Sequence, residues 1–137
     1  MDVTPLVKQG AQIIQSYAGG TFRVSGKVYD GPIIVTSEFT QEWTLKSAAA
    51  DILGEAQGAG FAGFTVEDFA QVIALAPEFD VFLCGAGADM KFLPPVLKAA
   101  LKERDVSIDI MDTGAACRTY NVLMAEGRRV VAVLLPV

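Results

Sequence analysis

The sequence predicts an α/β protein, a sandwich with a largely parallel central sheet and an additional N-terminal antiparallel β-hairpin region. Two observations predict this. The second half of the chain alternates helical and strand patterns at the spacing of βαβ units. The first half carries short β-branched segments separated by glycine turns. At 137 residues we expect one domain, with residues 17–136 forming the core and residues 1–16 an extension or edge.

The N-terminal half is predicted to consist of short strands, at residues 21–24, 27–29, 33–36 and 41–45. The first two flank Ser25-Gly26, a hairpin signal because glycine accepts the positive φ of a tight turn. Gly31-Pro32 then breaks the chain before the third strand. Residues 48–63 are rich in alanine and glycine and predict no definite element.

The C-terminal half is predicted to alternate, with helices at residues 66–76, 95–104 and 113–127 and strands at residues 81–84, 106–110 and 129–135. Thr65 and Asp68 have the spacing of a capping box at the first helix, which Pro77 ends. The strand at residues 81–84 is continuously apolar, a pattern typical of a strand covered on both faces.

Helical spacing divides the segment at residues 95–104 into two faces. The apolar positions, predicted to face the core, are Val96, Leu97, Ala100 and Leu101. Lys98 and Lys102 are predicted to face outward.

Composition and charge exclude several classes of protein. Hydrophobic residues make up 52% of the chain and charged residues 20%, which excludes an intrinsically disordered protein. Eleven basic residues stand against sixteen acidic ones, for a formal net charge of −5. Nucleic acids and anionic membrane surfaces are bound by clustered basic residues, and the pair Arg128-Arg129 is too small a cluster. We therefore predict no nucleic-acid partner.

The chain contains no histidine, which removes the commonest general base and the commonest metal ligand. Cys84 and Cys117 have no CxxC spacing and predict neither a zinc site nor a thioredoxin motif. A helix start beside Arg118 would lower the pKa of Cys117, but no base partner accompanies it, so core packing is favoured. We predict no catalytic residue, no metal and no cofactor, and favour a non-enzymatic protein.

The first residues lack the basic and apolar regions of a signal peptide. No apolar run approaches the roughly 18 residues that would span a bilayer. We expect a cytoplasmic protein without a transmembrane segment, with peripheral attachment at the inner face of a membrane as a second option.

A glycine loop, Gly85-Ala86-Gly87, directly follows the apolar strand at residues 81–84. A dinucleotide fingerprint needs a third glycine where Met90 stands and a helix that begins inside the motif. Neither condition is met, so a turn off a buried strand is the favoured interpretation. Binding of a ligand at this strand end stays open.

The start of the last helix is the second candidate binding feature. Asp112 and Thr113 are helix caps by type, and a helix N-terminus attracts anions. Arg118 and Asn121 are three positions apart and share a face, so they could fix a carboxylate or phosphate or hydrogen-bond a neighbouring loop. The candidate binding residues are therefore Gly85, Gly87, Asp112, Thr113, Arg118 and Asn121.

A longer motif surrounds these residues. Residues 111–123 read Met-Asp-Thr-Gly-Ala-Ala-Cys-Arg-Thr-Tyr-Asn-Val-Leu, and Glu-Gly-Arg-Arg-Val follows at residues 126–130. Together with the glycine loop, Leu93-Pro94-Pro95 and residues 22–26, this string resembles a small family of uncharacterised proteins. The family includes mitochondrial complex I assembly factor three and many short bacterial proteins. The resemblance spans residues 17–136.

The resemblance implies a three-layer α/β fold, a sandwich with a central mixed sheet whose last strand runs antiparallel to its neighbours. It also implies a non-enzymatic interaction protein that assists assembly of the respiratory NADH dehydrogenase, with subunits of that enzyme or another assembly factor as partners. Such a protein is expected to expose an apolar surface, here near the glycine loop and Phe92-Leu93. The alternative is a small-molecule or anion-binding protein that uses the loops at residues 85–87 and 112–121.

Overall fold

A computed structural model describes residues 11–45, 61, 64–89 and 92–137 of the chain. The strands are β1 (Ile14–Ala18), β2 (Thr21–Val24), β3 (Lys27–Asp30), β4 (Ile33–Thr36), β5 (Thr40–Glu42), β6 (Val81–Gly85), β7 (Ile108–Met111) and β8 (Val130–Leu134). The helices are α1 (Ala70–Leu75), α2 (Pro95–Lys102) and α3 (Thr113–Ala125), with 3-10 turns at Val66–Phe69 and Ala76–Glu78 on either side of α1. Of residues 48–63, for which the sequence predicts no definite element, all but Phe61 lie outside the described residues.

The described strands form two sheets. β1, β2 and β3 make an antiparallel three-stranded sheet, and the other five strands pair in the order β5-β4-β8-β6-β7. In the five-stranded sheet β6 pairs in parallel with both β7 and β8, while β4 pairs antiparallel with both β5 and β8. Four of these five strands therefore point the same way and β4 alone is reversed, so the predicted mixed, largely parallel sheet is confirmed.

The last strand corrects one expectation. β8 is antiparallel to β4 but parallel to β6, so it is not antiparallel to both neighbours. Parallel strands of one sheet need a crossover connection, and α3 supplies the one that leads from β7 past β6 to β8. β8 consequently lies in the middle of the sheet, and all five of its residues are buried.

α2 and α3 pack on opposite faces of the five-stranded sheet, which gives the predicted three layers. One buried cluster joins α2, through Leu97 and Leu101, to Phe82 of β6. The other cluster joins α3 and the three-stranded sheet to the alternate residues of the five-stranded sheet, whose side chains lie on its opposite face. The steps from β6 to β7 and from β7 to β8 run in opposite directions along the sheet, and right-handed crossovers then place their helices on opposite faces.

The hairpin between β2 and β3 forms at the predicted turn. Ser25 and Gly26 have φ values of 46° and 87°. Positive φ at both central residues is the geometry of a type I′ turn, whose twist matches the paired strands β2 and β3.

The buried face of α2 differs from the predicted one. Leu97 and Leu101 are buried, but Val96 is 84% exposed, so its inward assignment is wrong; Ala100 is half-buried. Leu93 lies four residues before Leu97 and is also buried, so the core contacts form a single stripe at four-residue spacing. Val96 lies about 100° around the helix from Leu97 and outside that stripe.

Candidate functional site

The structure brings the glycine loop and the start of α3 together at the carboxyl ends of β6 and β7. The Ala86 amide donates to the Met111 carbonyl at 2.8 Å. The Thr113 amide donates to the Gly87 carbonyl at 2.8 Å, and the Gly87 amide donates to Thr113 Oγ1 at 2.9 Å. Four of the six candidate binding residues, Gly85, Gly87, Asp112 and Thr113, therefore belong to one contiguous site.

Thr113 is the centre of this site. Its side chain is fully buried, and its hydroxyl donates to the Leu135 carbonyl at 2.7 Å while it accepts from the Gly87 amide. One hydroxyl thus connects the glycine loop, α3 and the segment after β8. Leu135 was not singled out by the sequence, because its contribution is a backbone carbonyl 22 residues away.

Gly85 is required by close packing between β6 and α3. A Cβ atom at this position would lie 2.8 Å from Thr113 Cα and 2.9 Å from Thr113 Oγ1. The backbone of α3 therefore approaches β6 more closely than any side chain permits. This contact accounts for the glycine without a ligand.

The N-terminus of α3 is largely occupied by groups of the protein itself. Asp112 is the N-cap, and its Oδ1 accepts from the Ala115 amide at 2.8 Å. Tyr17 of β1 lies over the first turn, with its hydroxyl oxygen 2.7 Å from where a Cβ of Gly114 would be. The Tyr17 ring reduces the room that an anion would need there, and the Asp112 carboxylate reduces the positive potential.

Arg118 and Asn121 both face β1, as their three-residue spacing predicts. Asn121 Oδ1 accepts from the Ile14 amide at 3.0 Å, and Asn121 Nδ2 donates to the Ile14 carbonyl at 2.8 Å. Arg118 is exposed, and its Nη1 donates to the Tyr17 hydroxyl at 3.2 Å. These bonds attach α3 to the small sheet; ligand binding by the pair stays a prediction. Tyr17, about a hundred positions away in sequence, carried no signal that could have paired it with Arg118.

Neither thiol has the properties of a nucleophile. Burial raises the pKa of Cys117 to about 12; the positive charge of Arg118 lowers it and the negative charge of Asp112 raises it, each by a smaller amount. Burial also raises the pKa of Cys84. Both side chains are protonated at neutral pH, and both pack in the core as the sequence suggested.

The described part of the chain lacks two further features. Within residues 11–45, 61, 64–89 and 92–137, no three acidic or thiol side chains are arranged to hold a metal ion. No helix of that same part is long and apolar enough to cross a bilayer.

An exposed apolar surface lies at the start of α2. It consists of Phe92, Pro94, Pro95 and Val96, which we call the Phe92 surface; Phe92 is 85% exposed and Val96 84%. The sequence placed Phe92 in such a surface correctly. It was wrong to include Leu93, which is 7% exposed because it packs in the same cluster as Ala86 and Leu97.

The role of the Thr113 hydroxyl can be tested by replacing it with a methyl group. Thr113→Val is expected to lower the free energy of unfolding by about 2 kcal/mol, because the Gly87 amide and the Leu135 carbonyl lose their partner in a buried site. Chemical denaturation measures the change. Thr113→Ser, which keeps the hydroxyl, should recover at least half of the loss; equal losses for valine and serine would contradict the assignment.

Several known proteins are similar to this chain. An uncharacterized protein of Rhodobacter capsulatus is 39% identical over 127 residues, covering 93% of this chain and 86% of the relative. The NADH dehydrogenase (ubiquinone) 1 alpha subcomplex assembly factor 3 of Bos taurus is 28% identical over 126 residues. That match covers 92% of this chain but 61% of the bovine protein, so this chain corresponds to about three fifths of its length.

A solved structure agrees with the fold. The solution structure of a Bordetella pertussis protein described as a Mth938-like domain superimposes with a TM-score of 0.67 at 28% identity, covering 99% of this chain and 89% of that one. The family described as "protein of unknown function (DUF498/DUF598)" matches residues 14–135, which include both sheets, all three helices and the site around Thr113. The predicted family resemblance is thereby confirmed, and the chain belongs to the DUF498/DUF598 family.

Proposed function

We propose that this chain is a non-enzymatic interaction protein that assists assembly of a respiratory NADH dehydrogenase. The proposal draws on the similarity to the bovine assembly factor, which extends over 92% of this chain. The buried, protonated thiols and the absence of histidine also favour a protein without catalytic side chains of these types. On this proposal the protein meets its partners at the surface of the membrane that holds the enzyme.

The observation that carries the proposal is the Phe92 surface. A phenylalanine and a valine that are each more than four-fifths exposed leave apolar area in water that a partner would cover. Burying one such side chain contributes about 1.5–3 kcal/mol. Aromatic side chains often contribute most of the energy of an interface. The two adjacent prolines also limit the backbone freedom that would be lost on binding.

Capture from native cells tests this directly. The tagged chain is expected to enrich NADH dehydrogenase subunits from solubilised membranes over a tag-only sample, read by mass spectrometry. The double variant Phe92→Ser/Val96→Ser should lose at least about tenfold of this enrichment, since both anchors are removed. Its melting temperature should be unchanged because both side chains are exposed.

The matched control is Val28→Ser/Val122→Ser, which removes two other exposed valines, on β3 and α3. This variant should retain the enrichment. Equal loss in both double variants would mean that the surface near Phe92 has no special role. Absence of NADH dehydrogenase subunits from the capture by the unchanged chain would contradict the assembly function itself.

The alternative function is binding of a small molecule or anion at Gly85, Gly87, Asp112, Thr113, Arg118 and Asn121. This alternative has less support, because the side chains of Thr113, Asp112 and Asn121 already form hydrogen bonds within the protein. Arg118 is the exposed member of the set with a formal positive charge. A titration of inorganic phosphate against the unchanged chain and Arg118→Ala, followed by amide chemical shifts, separates this alternative from a purely structural role.

A further inference from the structure

A concave surface lies at the end of the five-stranded sheet opposite the glycine loop. It is a cleft of about 700 Å³ between the end of α3, the turn after β4 and the segment that precedes β6. This volume is in the range of sites that hold small ligands or peptide side chains. The five residues of β6 separate it from the glycine loop by about 16 Å, so it is distinct from the site around Thr113.

The floor of the cleft is apolar and belongs to both cores of the protein. Phe79 packs in the cluster that contains α2, and Met124 packs in the cluster that contains α3. Each is 6% exposed and still lines the cleft. The cleft therefore crosses the end of the sheet and offers apolar contacts from both layers.

The rim of the cleft is acidic. Glu38, Glu78 and Glu126 are exposed and come from three separate segments of the chain. The C-terminal end of α3, which carries the negative end of the helix dipole, opens onto the same space.

Two arginines also line the cleft, and one of them is neutralised. Arg129 is paired with Asp80 by two hydrogen bonds, at 2.8 Å from Nη2 and 3.0 Å from Nε. The hydrogen bonds to Asp80, together with the negative charges of Asp80 and Glu78, keep the pKa of Arg129 above its usual value. Among the described residues, three carboxylates and two guanidinium groups line the cleft, and Asp80, which pairs with Arg129 but does not line the cleft, brings the local net charge to −2.

We infer that this cleft is a second docking site, which binds a basic and partly apolar segment of a partner protein. Lysine or arginine side chains of the segment would meet Glu38 and Glu126, and its apolar side chains would cover Phe79 and Met124. Charge complementarity selects this occupant, because an acidic segment would be repelled and a purely polar one would leave the apolar floor in water. With the Phe92 surface at the opposite end of the sheet, the protein could hold two partners at once.

A defined peptide tests the inference without knowledge of the natural partner. The probe is a twelve-residue peptide of lysine and leucine, added to the isotope-labelled full chain and followed by amide chemical shifts. Saturable shifts are expected at Ser37, Glu38 and residues 124–129. The double variant Glu38→Lys/Glu126→Lys should bind the peptide at least tenfold more weakly.

The control variant is Glu42→Lys/Glu103→Lys, which makes the same change in net charge at exposed sites that do not line the cleft. It should bind within about twofold of the unchanged chain. Equal weakening in the two variants would show attraction to the whole acidic protein and would overturn the proposed site. Both variants should keep their melting temperature, since the exchanged side chains are exposed.

Three further probes decide what the cleft recognises. A peptide with glutamate in place of lysine and one with serine in place of leucine should each bind at least tenfold more weakly. If the glutamate or the serine peptide binds as tightly as the lysine–leucine peptide, or if spermidine shifts the resonances of Ser37, Glu38 and residues 124–129 while the lysine–leucine peptide does not, the proposed occupant is wrong. These outcomes are independent of the capture experiment on the Phe92 surface, so either proposal can fail alone.

Discussion

Replacing Gly85 with alanine is expected to lower the free energy of unfolding by about 3 kcal/mol. The added methyl group would lie 2.8 Å from Thr113 Cα, 2.9 Å from Thr113 Oγ1 and 3.0 Å from Leu134 Cδ2. The nearest of these atoms belongs to the backbone of α3, so a change of rotamer cannot relieve the contact. β6 is hydrogen-bonded on both sides, to β7 and β8, and cannot move away without loss of pairing.

The measurement is urea denaturation followed by the fluorescence of Trp43, the single tryptophan. Gly87→Ala is the matched control, because its Cβ would meet nothing within 4 Å but its φ of 102° is unfavourable for alanine. The expected decrease in the free energy of unfolding is smaller for this variant, about 1 kcal/mol. If Gly85→Ala lowered the free energy of unfolding by no more than Gly87→Ala, the close approach of α3 would not be what requires a glycine at position 85.

Replacing Trp43 with alanine is expected to have the largest effect on stability, about 4 kcal/mol. Trp43 is 3% exposed and belongs to an aromatic cluster, 5.3 Å from the ring of Phe69 and 5.6 Å from that of Phe64. Its Nε1 donates to the Asp68 carbonyl at 2.6 Å. The alanine variant would leave a cavity beside β5 and a buried carbonyl without this donor.

Far-ultraviolet circular dichroism in urea follows this variant, since the fluorescent side chain is lost. Trp43→Phe is the control, because it retains an aromatic ring but not the donor. It should recover about half of the loss. A loss under about 1 kcal/mol for Trp43→Ala would show that the aromatic cluster contributes little to folding.

The candidate site illustrates where prediction from sequence succeeds. Asp112 or Thr113 was predicted as the cap of α3, and the cap is Asp112, since caps depend on a few neighbouring residues. The predicted glycine turn follows the buried strand directly, although Gly85 itself is the last residue of that strand. Local rules also predicted the Thr65–Asp68 capping box, in which the Thr65 amide donates to Asp68 Oδ2 at 2.8 Å.

Long-range contacts explain what the sequence analysis missed. Tyr17 contacts Arg118, which is 101 positions away in sequence, and Leu135 contacts Thr113, which is 22 positions away. The assignment of Val96 to the core was wrong for a related reason. Periodicity gives a helix an apolar face, but the position of the neighbouring sheet decides which edge of that face is covered.

The sequence by itself determined most of the element types, the three-layer class and the family of this protein, because apolar periodicity, turn residues and a long specific motif are local properties of the chain; β1, at Ile14–Ala18, was not predicted. Only the tertiary structure decided that β8 lies in the centre of the sheet, and that a cleft with an acidic rim forms from three separated segments. It also decided that Phe92 and Val96 remain in water. These features depend on which distant surfaces are brought together, and burial is decided by that packing and not by the residue type alone.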